Sequence, residues 1–382
     1  IANKDRLGIS VVNLSIGHPI YESAATDPLV QEVERAVRSG LIVVTAAGNQ
    51  GVNPQTGLPG YAGITSPGNA PSAITVGASQ TFDSASRSDD RVAPYSSRGP
   101  SWYDGTAKPD VVAPGHALIS DAPLTSELAV DYPSLVVVNN LRSYLKLSGS
   151  SMSTGVVSGL VALMLEANRM GATQRAIQTY SNKYVTSGKW TPPPYPTANA
   201  IKAMLQYSAT RLHDDTGSEY DALTQGAGEV NGIGALLLAY FTDTSQSVGA
   251  TWLTTSVDPH TTFGSDLVTW SQNIVWGTNI VWGTGVISQN QGAWAQNIVW
   301  GTTADTDNTV SGTNIVWGTN IVWGTNIVWG TNIVWGTNIV WGTNIVWGTN
   351  IVWGTNIVWG TLCDDNLVSA TAALDLVLLG GN

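Results

Sequence analysis

Leu147–Gly159 reads L-S-G-S-S-M-S-T-G-V-V-S-G. A turn of small residues, Ser148 to Ser151, runs straight into a segment whose large apolar residues fall at Val156, Leu160, Leu163, Met164 and Ala167. That spacing is the stripe of a helix buried along one face. Serines at the start of such a helix sit among backbone N–H groups with no intrahelical acceptor, at the positive end of the helix dipole. Those donors stabilise an alkoxide or a tetrahedral oxyanion, which is what a nucleophilic serine needs. The same position also suits serine as a helix N-cap, the commonest reason for finding it there.

The elements that must hold this helix start precede it. Ser10–Ser15 reads as a buried strand ending in Ile16-Gly17, and Leu41–Ala47 as a second one breaking at Gly48-Asn49. Between them Asp27-Pro28 marks a helix start, with Leu29, Val33, Ala36 and Val37 on one face and Gly40 as the stop. Ala73–Ala78 and Asp110–Ala113 are further apolar strands, the last closed by Pro114-Gly115. Strands without polar alternation, separated by a helix, predict an α/β fold with a parallel sheet covered on both faces. Ligands of such sheets bind beyond the carboxyl ends of the strands. Further helices are expected over Gln174–Val185, Thr197–Tyr207 and Gly232–Tyr240, with the proline-rich 190–196 as an extended loop.

G-S-S-M-S-T-G-V-V-S-G resembles the nucleophile motif of the subtilisin-like serine proteases, the subtilases, usually G-T-S-M-A-[ST]-P-H-V-[AS]-G. Gly149, Met152, Thr154, Val157, Ser158 and Gly159 match, and Ser151 takes the nucleophile's place; Gly155 and Val156 replace the usual proline and histidine. N-L-S-I-G followed by V-V-T-A-A-G-N is similar to the family's N-x-S-[LI]-G … V-V-x-A-A-G-N. Segments 66–78, 95–100, 108–115 and 220–231 follow in the family's order, so the resemblance covers about Ser10 to Tyr240. It implies a subtilisin-like parallel sheet with helices on both faces, its N-terminal part missing. It also implies an oxyanion donor at Asn49 and a substrate-binding edge at Ser15, Ile16 and Gly17. Ala46, Ala47 and Gly48 would line the specificity pocket. The implied activity is a serine endopeptidase acting on polypeptides, with no required cofactor. Calcium is common in the family, but no acidic loop here has a defensible ligand spacing.

One part of the family pattern is missing. The family's Asp and His precede the N-x-S-[LI]-G strand, whereas only nine residues precede Ser10, and no D-[ST]-G or H-G-T-H occurs. The four histidines, His18, His116, His213 and His260, lie in turns or polar loops and read as surface residues. The chain opens on Ile1 and reads as the C-terminal part of a longer precursor, without signal peptide and inactive as it stands. The alternative is a surface adhesin or structural protein on a degenerate subtilase scaffold.

Charged residues make up only 11% of the 382 residues and the net charge is −11, which argues against nucleic acid and anionic membranes as partners. It suits a secreted or cell-surface protein. The single cysteine, Cys363, excludes an internal disulfide, and no apolar run approaches a membrane span. Residues 1–243 are expected to form the partial catalytic domain and 244–272 a polar linker, with 362–382 as a C-terminal tail. From 273 to 361 the hexapeptide N-I-V-W-G-T recurs: two copies at 273–284, one at 297–302 and eight uninterrupted from Asn314 to Thr361. Period six suggests a β-rich tail, a solenoid or stacked hairpins, with Ile and Trp on one side of each copy and Val on the other. A row of tryptophans facing outward would bind a glycan or another surface. Uncharged strands of this kind are also the signature of fibril-forming segments.

Overall fold

The computed structural model describes residues 1–139, 142–247, 249–264, 266–276, 279–282, 286–288 and 290, and further on the backbone strands lying between 307 and 369. At the centre is a sheet of β1 (Val11–Leu14), β2 (Ile42–Ala46), β3 (Ile74–Gln80), β4 (Arg91–Val92) and β5 (Val111–Pro114). β1 pairs with β2, β2 with β3 and β3 with β5, all parallel, and β4 adds antiparallel to the end of β3. Every residue of β2 is buried, as expected for a strand covered on both faces. The helix Pro28–Arg38 starts where Asp27 accepts from the N–H groups of Leu29 and Val30, at 2.9 and 3.3 Å. Its Val30, Val33 and Val37 enter the core, each such burial contributing about 1.5–3 kcal/mol.

The helix that begins at the serines spans Ser150–Thr179, thirty residues, and lies across the sheet. Its buried side is Val157, Leu160, Val161, Met164, Leu165 and Asn168. The expected stripe is therefore corrected by one position, for Val156 and Leu163 are 38% and 57% exposed. Apolar residues flank the true stripe on both sides, so periodicity alone could not place it. The helix also continues through Gly171, where a Cβ would lie 2.0 Å from the Tyr240 carbonyl oxygen, a close approach that only glycine permits. The helix expected over Gln174–Val185 is thus split: its first part completes the serine helix. The chain breaks at Ser181, φ 138°, and Asn182–Thr186 forms a short helix of its own.

The serine helix is long and apolar enough, by length and composition only, to cross a membrane, although no uninterrupted apolar run in the sequence approaches that length. It is instead the core helix, packed on β1, β2, β3 and β5 and on the helix Gly232–Phe241. Between β5 and the serine helix in the chain lies a small antiparallel sheet, β6 (Leu118–Asp121), β7 (Val136–Asn139) and β8 (Arg142–Leu147).

The stretch 244–272 is not a free linker. Trp252 and Trp270 are each 2% exposed and belong to the same core as the sheet. Trp270 meets Tyr207 edge-on and donates its indole N–H to Thr261 at 2.7 Å. The hairpin β9 (His260–Phe263) and β10 (Asp266–Thr269) belongs to this stretch. Two tryptophans outweigh many polar neighbours in burial energy, which composition averages away.

Two buried charge clusters brace the body. Lys108 and Lys202 both approach Asp110, at 2.8 and 3.2 Å. Burial pushes Lys202 down to about 7, with Asp110 acting against that shift. Glu229 and Asp90 share Arg87, at 3.5 and 3.0 Å. Burial, reinforced by the Asp90 carboxylate, pushes Glu229 up to about 8.

The repeat copies pair in two ways. β11 (Asn273–Trp276) and β12 (Asn279–Trp282) run antiparallel. Later copies run parallel in two sets. One is β14 (Asn314–Trp323), β16 (Asn332–Trp341), β18 (Asn350–Trp353), β19 (Asn356–Trp359) and β21 (Leu367–Ser369). The other is β13 (Asp307–Ser311), β15 (Thr325–Trp329), β17 (Asn344–Trp347) and β20 (Leu362–Cys363). Asn314 faces Asn332 and Asn332 faces Asn350, so each like residue recurs three hexapeptides later. The side-chain facing expected for the tail lies outside the described residues.

Candidate active site

The serine helix begins at the carboxyl ends of the parallel strands, where this class of sheet binds ligands. Three of those ends grip its first turn. From β1, the Ser15 hydroxyl donates to the Ser151 carbonyl at 2.8 Å, and the Ser151 hydroxyl lies 3.4 Å from the Ser15 carbonyl. From β2, the Ser150 N–H donates to Asn49 Oδ1 at 2.9 Å, and the Gly48 N–H donates to Ser150 Oγ at 3.1 Å. From β5, Ser153 donates to the Ala113 carbonyl at 2.8 Å, and the Gly149 N–H donates to the Gly115 carbonyl at 2.9 Å.

Asn49 thus spends its carbonyl oxygen on the helix start, which turns its amide nitrogen toward Gly149. A Cβ built there would lie 3.3 Å from Asn49 Nδ2. Gly149 has φ 156°, so glycine both meets the backbone requirement and leaves the space open. The Ser151 N–H has no acceptor among the described residues, as expected for the first turn of a helix. The Asn49 amide thus adjoins Gly149, two residues before Ser151 on the same helix start. Such a helix start provides a nucleophile and fixed donors for an oxyanion.

Supporting residues came to light only in the structure. Ser97 accepts from the Gln50 N–H at 2.9 Å, and its own N–H donates to the Gly48 carbonyl at 3.0 Å, so it holds the Asn49 loop from behind. Tyr95 donates to the Gly115 carbonyl at 3.2 Å, and its phenol is pushed up chiefly by burial. Both lie in the segment Y-S-S-R-G-P, whose resemblance marked it without assigning roles.

Ser15 is half-buried, and Ile16 and Gly17 are exposed beside the serine corner. At Gly17 a Cβ would lie 2.5 Å from Thr65 Oγ1, and His18 pairs main chain to main chain with Ser66. Ala46 and Ala47, expected to line a pocket, are buried in the sheet, and only Gly48 of the three is partly exposed. Ala47 is fixed there by accepting from the Thr65 N–H at 3.0 Å while donating to Val76. No histidine touches Ser151. His18 contacts the Pro19 carbonyl and stacks on Tyr21, and His116 stacks on Tyr95. His213 pairs main chain to main chain with Glu219, and His260 lies 2.8 Å from Asp258. Among the described residues no three His, Cys, Asp or Glu side chains converge as metal ligands would.

One side of this corner is uncovered. β1 pairs only with β2 among the described residues, so its other edge is open. On the serine helix, Val156, Leu163 and Met170 are exposed, and Cβ atoms added at Gly155 and Gly159 would meet nothing within 4 Å.

The Subtilase family model matches residues 2–228, and the chain belongs to that family. It is 40% identical over 162 residues to the serine protease AprX of Bacillus subtilis, covering 42% of this chain and 34% of AprX. It is 32% identical over 247 residues to pyrolysin of Pyrococcus furiosus, covering 59% of this chain and 14% of pyrolysin. The chain thus spans about a third or less of the length of these relatives. Its structure is similar to the patellamide maturation protease PatA, with a TM-score of 0.41 and 21% identity over 62% of this chain and 65% of that one.

Proposed function

We propose that this chain carries the serine and oxyanion half of a subtilisin-like endopeptidase. One observation supports this reading above others: Ser151 lies at a helix mouth with a free main-chain donor, beside the amide that Asn49 turns toward Gly149. In this reading Ser151 Oγ attacks the scissile carbonyl carbon and loses its proton to a general base. The carbonyl oxygen, now anionic, accepts from the Ser151 N–H and Asn49 Nδ2. The amine leaves with that proton and water then releases the acyl group. Ser15, Ile16 and Gly17 pair with extended substrate backbone, and Gly48 borders the pocket for the residue before the cut.

The base and its orienting carboxylate come from outside these residues. The open edge of β1 and the uncovered stripe Val156, Leu163 and Met170 are where a further strand and helix would dock. The chain is then inactive by itself and gains activity with that segment. Its low charge supports release from the cell or display on its surface.

Labelling by a fluorophosphonate, which only an activated serine attacks quickly, tests this. The product of the complete gene should label at Ser151, and the 382-residue chain alone should not. If the complete product stays unlabelled, the endopeptidase reading fails. A scaffold whose activity lies in the repeat tail then takes its place.

A further inference from the structure

A line of hydrogen bonds joins β1 to the serine helix and ends at Ser151. Asn13 lies on β1 and Ser15 just past its end, two residues on, so in extended chain their side chains leave on the same face. Ser151 and Ser158 are seven residues apart on the helix, about two turns, so they share a face as well. The two faces meet. Ser158 donates its hydroxyl to Asn13 Oδ1 at 2.9 Å, and Asn13 Nδ2 donates to Ser15 Oγ at 2.9 Å. Ser15 Oγ donates in turn to the Ser151 carbonyl at 2.8 Å, while the Ser151 hydroxyl lies 3.4 Å from the Ser15 carbonyl.

The direction of this line follows from its hydrogens. A serine hydroxyl has one proton to donate, and that of Ser15 goes to the Ser151 carbonyl. Toward Asn13 the same oxygen can therefore only accept, and the amide nitrogen is what it meets. The amide is held that way round because its own oxygen is occupied by Ser158. Without Asn13 the Ser15 hydroxyl would turn among its staggered positions and share its proton with water. Asn13 is exposed, so a segment covering it would exclude competing water and strengthen the whole line.

We infer that Asn13 is a positioning residue for the reaction, acting through Ser15. It aims the Ser15 hydroxyl at the Ser151 main chain and so holds the first turn of the helix where Ser151 Oγ can attack. The inference rests on Ser151 being the nucleophile. Substrate backbone pairs with the main chain of Ser15, Ile16 and Gly17, which neither side chain supplies, so the effect belongs to kcat and not to KM. A carboxylate at this position separates the two halves of the amide's work. Aspartate accepts but does not donate. It would keep the bond from Ser158 and draw the Ser15 proton to itself, away from the Ser151 carbonyl.

Turnover of a chromogenic peptide ester by the complete gene product tests this, with rates counted per serine labelled to completion by a fluorophosphonate. Counting per labelled serine leaves misfolded molecules out of the rate. Ser15→Ala and Asn13→Asp should each lower kcat by about tenfold, the effect of one hydrogen bond, with KM within about twofold. Both break the same link, so Asn13→Asp made on top of Ser15→Ala should lower kcat no further. Losses that multiply in the double variant would overturn the proposal. So would a kcat that Asn13→Asp leaves unchanged, in a product that still labels at Ser151; the endopeptidase reading would then stand without it. An unaltered product that does not label overturns both together.

Discussion

The tetrapeptide N-I-V-W occurs in two structural settings in this molecule. At 273–276 and 279–282 it folds back on itself, Trp276 facing Asn279 across an antiparallel pair. From Asn314 the same residues run parallel to copies eighteen positions on, and Gly318-Thr319 lies inside a strand. What differs is the company. Ile274 is 2% exposed within the body's core. Just before it, the N–H groups of Ser271 and Gln272 donate to the Ala209 and Tyr207 carbonyls, and Arg211 reaches the Ser271 carbonyl. The first copy is held by a surface that exists once. The later copies have mainly one another as partners, and identical partners leave the register to spacing alone.

The sharpest way to break this comparison is to ask where the chemistry resides. In the complete enzyme, Ser151→Ala should lower kcat by about 10⁶-fold, the magnitude documented for subtilisin itself. Deleting one internal hexapeptide, 326–331, should leave kcat within about twofold, because the next copy moves into the same register. Turnover with a chromogenic peptide ester checks both. A large loss from the hexapeptide deletion would tie the tail to catalysis.

Asn49→Ala comes next, with an expected loss of about 10²–10³ in kcat and little change in KM; subtilisin's own asparagine is the source of that range. Because Asn49 Oδ1 also holds the Ser150 N–H, Asn49→Asp should keep the fold and still lose the donor.

The two settings of the hexapeptide separate directly by stability. Ile274→Ala should destabilise the body by about 2–4 kcal/mol, read as a lower urea midpoint. Ile321→Ala, the same change in the same hexapeptide, should leave that midpoint unmoved. Equal effects would mean that both copies belong to one cooperative unit.

The remaining effects concern pH, and they belong to the body alone. Lys202 is held near 7 in the fold against 10.5 unfolded, so the unfolded chain binds more protons between those values. Its contribution to stability is full above pH 10.5 and is lost as pH falls toward 7. Glu229 has the opposite sign: raised from 4.5 to about 8, it contributes fully below pH 4.5 and loses that contribution as pH rises through 8. Urea midpoints measured from pH 5 to 10 should therefore flatten in the lower window with Glu229→Gln and in the upper one with Lys202→Met.

Much of the body was legible from residue order. β1, β2, β3 and β5 lie within a residue or two of the apolar runs that announced them, and Asp27-Pro28 begins its helix where capping chemistry requires. Ser151 and Asn49 were marked by motif, and folding brings the segments that carry them together. Harder to read were choices among near-equals. Val156 and Val157 are the same residue type one step apart, and only the sheet beneath decides which is covered. Ala46 and Ala47 are small enough for a pocket wall or a strand interior, and the structure buries both, with the Thr65 N–H on the Ala47 carbonyl. Trp252 and Trp270 sit in polar surroundings in sequence and in apolar ones in space.

Sequence by itself determined the strands of the central sheet and the Asp27 cap, because those depend on neighbours within a few residues. Tertiary structure decided which face of the serine helix is covered, that 244–272 packs rather than links, and how each N-I-V-W pairs. Those outcomes depend on surfaces assembled from segments tens to hundreds of residues apart, for which a repeated hexapeptide carries no address.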